Sequence, residues 1–374
     1  MKLLNKSLLE KKLLETTKSF LDKGVICGSV MVVNQKGKRI ATISAGSQKP
    51  DKDILVNEKT LFRLASLTKP VTGVAALIAE EQGLLCLEDD VCDYIPEFKN
   101  ILIGKLQDGK VVPDRKPNTK LKLSYFLAHC SGFLSQDELY DPQIKKMPRE
   151  AFKTIKTHTD YTINNVYLSF EPFSKAVYST YAYDIIARII EEKSGMAYAD
   201  FLNKYLFTPL SIRDMTFSPT EEQWSRLISV GNNNEKNEFC PLEIGRHTFA
   251  DHPLTFSASG AGLCGTAEDY SIFMEMLLNR GIYNGVRVMK ESSVEKLKTR
   301  ICENWGLGVN VRDGTTPLPE NSYGWSGAYG THFWVDEENQ ITALMLKNHR
   351  ALTDNFWGES IHKFENSVMN SFEL

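Results

Sequence analysis

The chain has 374 residues, of which 42% are hydrophobic and 24% charged, with a formal net charge of −3. That balance suits a globular protein with a sizeable core, and at roughly 150 residues per domain the length allows about two domains. Charges of both signs are interspersed, with no basic stripe or acidic tail. Neither nucleic acid nor an anionic membrane surface is therefore an expected partner.

The first apolar residues come in pairs, Leu3-Leu4, Leu8-Leu9 and Leu13-Leu14, split by charges. This spacing predicts an amphipathic helix over 4–22 that docks on a core, whereas a signal peptide needs an uninterrupted apolar stretch. No run of about 18 apolar residues occurs, so no transmembrane helix is expected. The seven cysteines form no CxxC pair. Reduced thiols in a cytoplasmic protein are the expectation.

Ser29–Val33 and Arg39–Ile43 read as strands joined by a turn around Lys36-Gly37. A buried helix follows from about Ser66 to Gln82, with Gly83 as its C-terminal cap. The middle of the chain changes character, with polar, Pro-containing loops around helical patches such as Tyr183–Lys193, which carries a stripe of Ile185, Ile186, Ile189 and Ile190. A helix over Asp269–Asn279 comes next. Thr331–Val335 and Ile341–Leu346 then flank an acidic turn as a hairpin, and a last helix runs from about Asp354 to Asn370. Strands at both ends and helices between them predict an α+β fold. In it, residues 1–85 and 251–374 form an antiparallel sheet flanked by helices, and residues 86–250 an inserted, mostly helical domain.

The segment Ser66-Leu67-Thr68-Lys69 is the first candidate for chemistry. Ser66 opens the buried helix, near the positive end of its dipole, and Lys69 lies one turn on along the same face. A lysine enclosed in an apolar helix loses affinity for its proton, and a neutral lysine can take the proton of a serine hydroxyl. Taken alone, SxxK is also compatible with a serine cap followed by a solvated lysine.

Further stretches extend the pattern. Thr60–Thr72 resembles the nucleophile motif of the serine β-lactamase and penicillin-binding protein superfamily. Leu127-Ala128-His129-Cys130-Ser131-Gly132-Phe133 resembles that family's LLxHTSGL loop, and Tyr178-Ser179-Thr180 its YxN motif. Ser259–Asp269 is similar to its SxGGLxSTAxD segment, and Gly324–Thr331 stands where the family has KTG or HTG. The tyrosine motif points to the branch of class C β-lactamases, D,D-peptidases, D-aminopeptidases and esterases. The resemblance implies Ser66 as nucleophile, Lys69 as its base and Tyr178 as the group that relays a proton to the leaving group. It also implies an oxyanion hole from the backbone N–H groups of Ser66 and Ala328, with Thr180, Trp325, Ser326 and Gly327 lining the substrate site.

Two departures stand out. Thr180 replaces the asparagine of YxN, and Trp325 replaces the lysine or histidine of the third motif, so the usual cation for a substrate carboxylate is missing. His332 is expected to be a strand residue and His129 a hydrogen-bonded structural one. Gly260–Gly265 spells GxGxxG but lacks the βαβ setting of a dinucleotide site, and close packing ahead of a helix capped by Thr266 explains it better. His247 and His252 flank Asp251 as loop residues rather than metal ligands. The reading is a serine hydrolase acting through an acyl-enzyme on a small-molecule ester or amide substrate, without cofactor or metal. An esterase or transesterase leads, a β-lactamase or D-amino-acid peptidase follows, and a non-catalytic relative that binds acyl ligands is the alternative of another class.

Overall fold

The structure, a computed structural model, describes residues 2–145, 147–234, 239–245, 248–249, 252–253, 256–350 and 356–373. His247, Asp251 and the expected start of the last helix at Asp354 lie outside the described residues.

A seven-stranded antiparallel sheet is built from both ends of the chain. Its strands are β1 (Gly28–Gln35), β2 (Lys38–Lys49), β3 (Lys52–Leu55), β4 (Asn310–Val311), β5 (Tyr323–Ser326), β6 (His332–Asp336) and β7 (Ile341–Lys347), in the spatial order β4-β5-β6-β7-β1-β2-β3. The central pairing sets Val32 opposite Leu344 and Met31 opposite Met345. Alternate side chains of a strand point to opposite faces, and here both faces are covered, so β1, β6 and β7 are buried along their whole length and mostly apolar. Met31, Val33, Trp334 and Ala343 pack under two helices, α1 (Lys6–Asp22) and α6 (Phe356–Met369). Val30, Val32, Phe333 and Leu346 face the larger core on the other side.

Helix α1 follows the predicted pairing. Leu9, Leu13 and Phe20 are buried, and the Asn5 side chain caps its first turn by accepting a bond from the Leu8 N–H at 3.0 Å. On the opposite face lie α2 (Thr68–Glu81) and α5 (Ala267–Leu278). Helix α2 is buried from Thr68 to Ala79, as expected of a helix apolar on nearly every side. Gly83 follows its end at φ +71°, and Thr266 caps α5 through the Asp269 N–H at 3.2 Å. Against α2 packs α4 (Tyr183–Ser194), whose isoleucine stripe is buried and which stops at Gly195 in the left-handed conformation. Helix α3 (Ile155–Asn165) lies beside α4. Among the elements not expected from sequence is a hairpin of Ile103–Gln107 with Lys110–Arg115 within the middle segment. Its strands are largely exposed and mix apolar with charged residues irregularly, so they carry little of the alternation that marks a half-buried strand. No described helix is long and apolar enough to cross a membrane.

Helix α2 owes its position to close backbone approach. A Cβ added at Gly73 would lie 2.0 Å from the Leu307 carbonyl oxygen, and one added at Gly308 would lie 2.6 Å from the Lys69 carbonyl oxygen. Gly73→Ala is therefore expected to destabilise the protein by about 1–3 kcal/mol, although alanine is the better helix former by about 1 kcal/mol. Urea unfolding checks this. An unchanged or raised midpoint would show that α2 and the 306–308 loop do not meet so closely.

Candidate active site

Four segments meet at the N-terminal end of α2. Phe62–Arg63 pairs antiparallel with Cys264–Gly265, and the Leu64 N–H donates to Leu263 O at 2.9 Å. The chain then bends through Ala65, at φ +49°, into a single 3-10 turn, Ala65–Leu67, before α2 begins. Left-handed backbone is unfavourable for a residue with a Cβ and persists where the surroundings over-determine it. Here the Thr68 hydroxyl donates to Ala65 O at 2.7 Å and the Thr331 hydroxyl to Leu64 O at 2.9 Å. The Tyr270 hydroxyl donates to Leu67 O at 2.9 Å.

This bend leaves Ser66 at the edge of solvent. Ser66 keeps 8% of its surface exposed while Lys69 keeps none, so the hydroxyl is reachable and the amine is dry. Lys69 Nζ lies 3.2 Å from Ser66 Oγ and donates at 2.7 Å to the Gly260 carbonyl. The Tyr178 hydroxyl donates to Ser66 Oγ at 2.6 Å. Ser66 Oγ is thus held between the amine and the phenol, and the Lys69 Nζ lies 4.7 Å from the Tyr178 ring centre. Burial holds the Lys69 ammonium below its usual range; the hydroxyl of Tyr178 and the carboxyl of Asp184 oppose that shift without cancelling it. A dry amine with lowered proton affinity, in reach of a serine hydroxyl, can act as a general base.

Tyr178 stands on a loop ahead of α4 that is tied down on both sides. Val177 N–H donates to His129 O at 2.9 Å, the Gln136 N–H to Tyr178 O at 2.8 Å, and the Ser179 N–H to His129 Nδ1 at 3.0 Å. Burial pushes the His129 imidazole well below its usual range. Its neutral form accepts at Nδ1 and so carries its proton on Nε2. His129 is a structural histidine that orients the tyrosine loop.

The remaining sequence candidates divide. Trp325 comes to the centre: its Nε1 lies 3.4 Å from the Tyr178 hydroxyl, and the two rings are 5.5 Å apart. Gly327 is pressed against the Ser66 bend, since an added Cβ would lie 2.6 Å from Leu64 O and 3.2 Å from the Ala65 Cβ. Ala328, next in the chain, is exposed beside it. Thr180 is half-buried, with its hydroxyl accepting from Gln136 Nε2 at 3.3 Å. Ser326 is buried, and its hydroxyl pairs with His332 Nδ1 at 2.7 Å, while His332 Nε2 lies 3.2 Å from Glu365. His332 is fully buried in that layer beneath the site, as expected of a strand residue.

Several residues were not foreseen. Trp305 packs edge-on against Trp325 at 4.3 Å and against His129 at 4.3 Å, extending the aromatic wall beside Tyr178. Nothing in the sequence ties Trp305 to Ser66; only its place just before the backbone-packed Gly306 and Gly308 marks it. Gly260 supplies the second acceptor for Lys69 by its carbonyl, a contact that no side-chain motif announces. Asp184 is fully buried on α4, and a carboxylate inside the isoleucine stripe was the available signal.

Known proteins share this arrangement of strands and helices. The Beta-lactamase family model matches residues 13–356. The chain belongs to that family. Protein Rv1367c of Mycobacterium tuberculosis (strain ATCC 25618 / H37Rv) is 25% identical over 352 residues, covering 88% of this chain and 87% of that protein. Among solved structures, "EstCE1, a hydrolase with promiscuous acyltransferase activity" has a TM-score of 0.81 at 21% identity, covering 97% of this chain and 99% of that one. Unliganded simvastatin synthase (LovD) from Aspergillus terreus has a TM-score of 0.79 at 17% identity, covering 96% of this chain and 98% of that one. This member of the Beta-lactamase family has the fold of its serine hydrolases.

The buried amine gives a testable pH signature. In the folded chain burial holds the Lys69 proton affinity below that in the unfolded chain, so between the two ranges the unfolded chain carries the extra proton. Lowering the pH through that window favours unfolding. The stability of the natural protein relative to Lys69→Met is expected to fall as pH drops from the ordinary lysine range toward neutrality. Urea titrations of both proteins at several pH values measure this, and parallel profiles would contradict a buried, proton-poor amine.

Proposed function

We propose that this Beta-lactamase-family serine hydrolase turns over small neutral esters through an acyl-enzyme on Ser66. The convergence of Lys69 and Tyr178 on the single oxygen of Ser66, at 3.2 and 2.6 Å, carries the reading. Neutral Lys69 takes the Ser66 proton as Oγ attacks the ester carbonyl. The oxyanion that forms is held by the backbone N–H groups of Ser66 and Ala328. Tyr178 gives its proton to the departing alcohol and regains one from Lys69. In the second half an incoming water or alcohol loses its proton along the same path and attacks the acyl carbon, which frees Ser66.

Substrate class follows from the side chains that surround Ser66 and Tyr178. A β-lactam or a C-terminal D-amino acid presents a carboxylate, and selecting it calls for a cation or a fork of hydrogen-bond donors. Trp325 offers a broad apolar face and a single donor, and Trp305 extends that face. Thr180 has one hydroxyl, already accepting from Gln136, where the family's asparagine brings an amide for an amide substrate. Both features favour a neutral acyl or alcohol group. The loss of that asparagine leaves the lysine anchored, because the Gly260 carbonyl accepts from it.

The test is a panel of p-nitrophenyl esters alongside a chromogenic cephalosporin. Short-chain esters are expected to give a burst of product followed by turnover, with the cephalosporin far slower. Trp325→Lys is expected to raise cephalosporin hydrolysis relative to ester hydrolysis. Faster hydrolysis of the cephalosporin by the natural protein would overturn the ester assignment in favour of a β-lactamase or D-amino-acid peptidase. Neither burst nor turnover would leave a relative that only binds acyl ligands.

A further inference from the structure

Behind Lys69 lies a buried carboxylate that the acyl-transfer steps do not use. Asp184 sits in the first turn of α4, and its Oδ1 accepts from the Ser259 N–H at 2.9 Å and the Ser259 hydroxyl at 2.8 Å. The Ser259 carbonyl in turn accepts from the Thr72 hydroxyl at 2.6 Å, and Thr72 accepts from the Tyr198 hydroxyl at 2.8 Å. The next residue, Gly260, points its carbonyl at Lys69 Nζ. A Cβ on Gly260 would lie 2.1 Å from Thr180 O, so the turn is also pressed against the tyrosine loop. Ser259 is therefore pinned at its N–H, its hydroxyl and its carbonyl, and the residue so fixed adjoins the acceptor that aims the lysine.

We infer that Asp184 is a positioning residue for Lys69, acting through the Ser259–Gly260 turn and by its charge. The inference rests on the reading of Lys69 as the base for Ser66. A neutral hydrogen-bonding side chain would also hold the turn, at lower desolvation cost. What a carboxylate adds is a negative charge that steadies the proton on Lys69 once it has left Ser66. Asp184 raises the Lys69 proton affinity against the effect of burial, and Lys69 in turn favours the charged form of Asp184. Burial pushes the Asp184 carboxyl up to about 7, opposed by the two bonds from Ser259. The groups that face it are His158 on α3, with Nε2 3.5 Å from Oδ2, Lys69 on α2, and the hydroxyls of Tyr181 and Tyr198. A buried acid and a buried base whose charges favour one another, beside a nucleophile, mark a tuned site.

The experiment measures the rate at which a fluorophosphonate labels Ser66, by mass spectrometry, across the acid-to-neutral range, with melting curves in parallel. In Asp184→Asn the amide oxygen still accepts from Ser259, but the charge is gone. Lys69 is then expected to lose its proton at lower pH, so the acid limb of the labelling profile moves down and the plateau falls. Asp184→Ala leaves the Ser259 donors without their acceptor, and a displaced base is expected to lower the plateau by about 10- to 100-fold. An acid limb of Asp184→Asn that superimposes on that of the natural protein overturns the proposal. Should Asp184→Asn fail to fold, Ser259→Ala serves: it removes a bond that favours the charged carboxylate, so the limb is expected to move the same way. An unchanged limb and plateau there overturn the proposal equally. Absence of Ser66 labelling in the natural protein would instead defeat the acyl-enzyme reading itself, so the two failures are distinguishable.

Discussion

One interaction governs the arrangement: a lysine amine removed from water and suspended between the Ser66 hydroxyl and the Gly260 carbonyl. A buried ammonium is costly unless it is neutral or well bonded, so every neighbouring element has to exclude water and supply acceptors at once. Helix α2 is buried on all sides for that reason. Gly73 and Gly308 let the 306–308 loop close over it, and the same loop brings Trp305 to the aromatic wall. The left-handed bend at Ala65 turns Ser66 out toward solvent while its neighbour three residues on stays dry. The sheet contributes indirectly: Thr331, at the start of the hairpin, clamps Leu64, and Gly327 fits beneath the bend.

Legibility in the sequence followed the range of the interactions. Helix α2 with Gly83, helix α4 with Gly195, and the β6–β7 hairpin could be read because each depends on contacts within one element or across one turn. The spacing of Ser66 and Lys69 is likewise local, one helical turn apart. Tyr178 was legible only through resemblance, because its contact with Ser66 bridges 112 positions of the chain. Ala65 at positive φ, Trp305 against Trp325, and the Gly260 carbonyl under Lys69 are products of tertiary packing, and no periodicity encodes them. The 103–115 hairpin escaped because its short, largely exposed strands show no regular apolar alternation. Asp184 was visible in principle, as the carboxylate that opens the buried isoleucine stretch, whereas Glu191 and Glu192 follow it at the helix end.

The departures from the family motifs fit one another. Where an asparagine would have anchored the lysine, a backbone carbonyl does so, freeing Thr180 to bond Gln136. Trp325, at the position of the third motif's cation, packs with Trp305, Tyr178 and the buried His129 in a continuous aromatic cluster. Neither departure touches Ser66 directly: Lys69 and Tyr178 make their contacts to Ser66 Oγ themselves, while Trp325 reaches only the Tyr178 hydroxyl.

The central claim is that Ser66 itself carries the acyl group. Acid quenching during turnover of p-nitrophenyl acetate, followed by digestion and mass spectrometry, tests it most directly. The account requires an acetyl group on the peptide containing Ser66, absent when Ser66→Ala is treated in the same way. Turnover with that peptide unmodified, or acetylation that persists in Ser66→Ala, would contradict it.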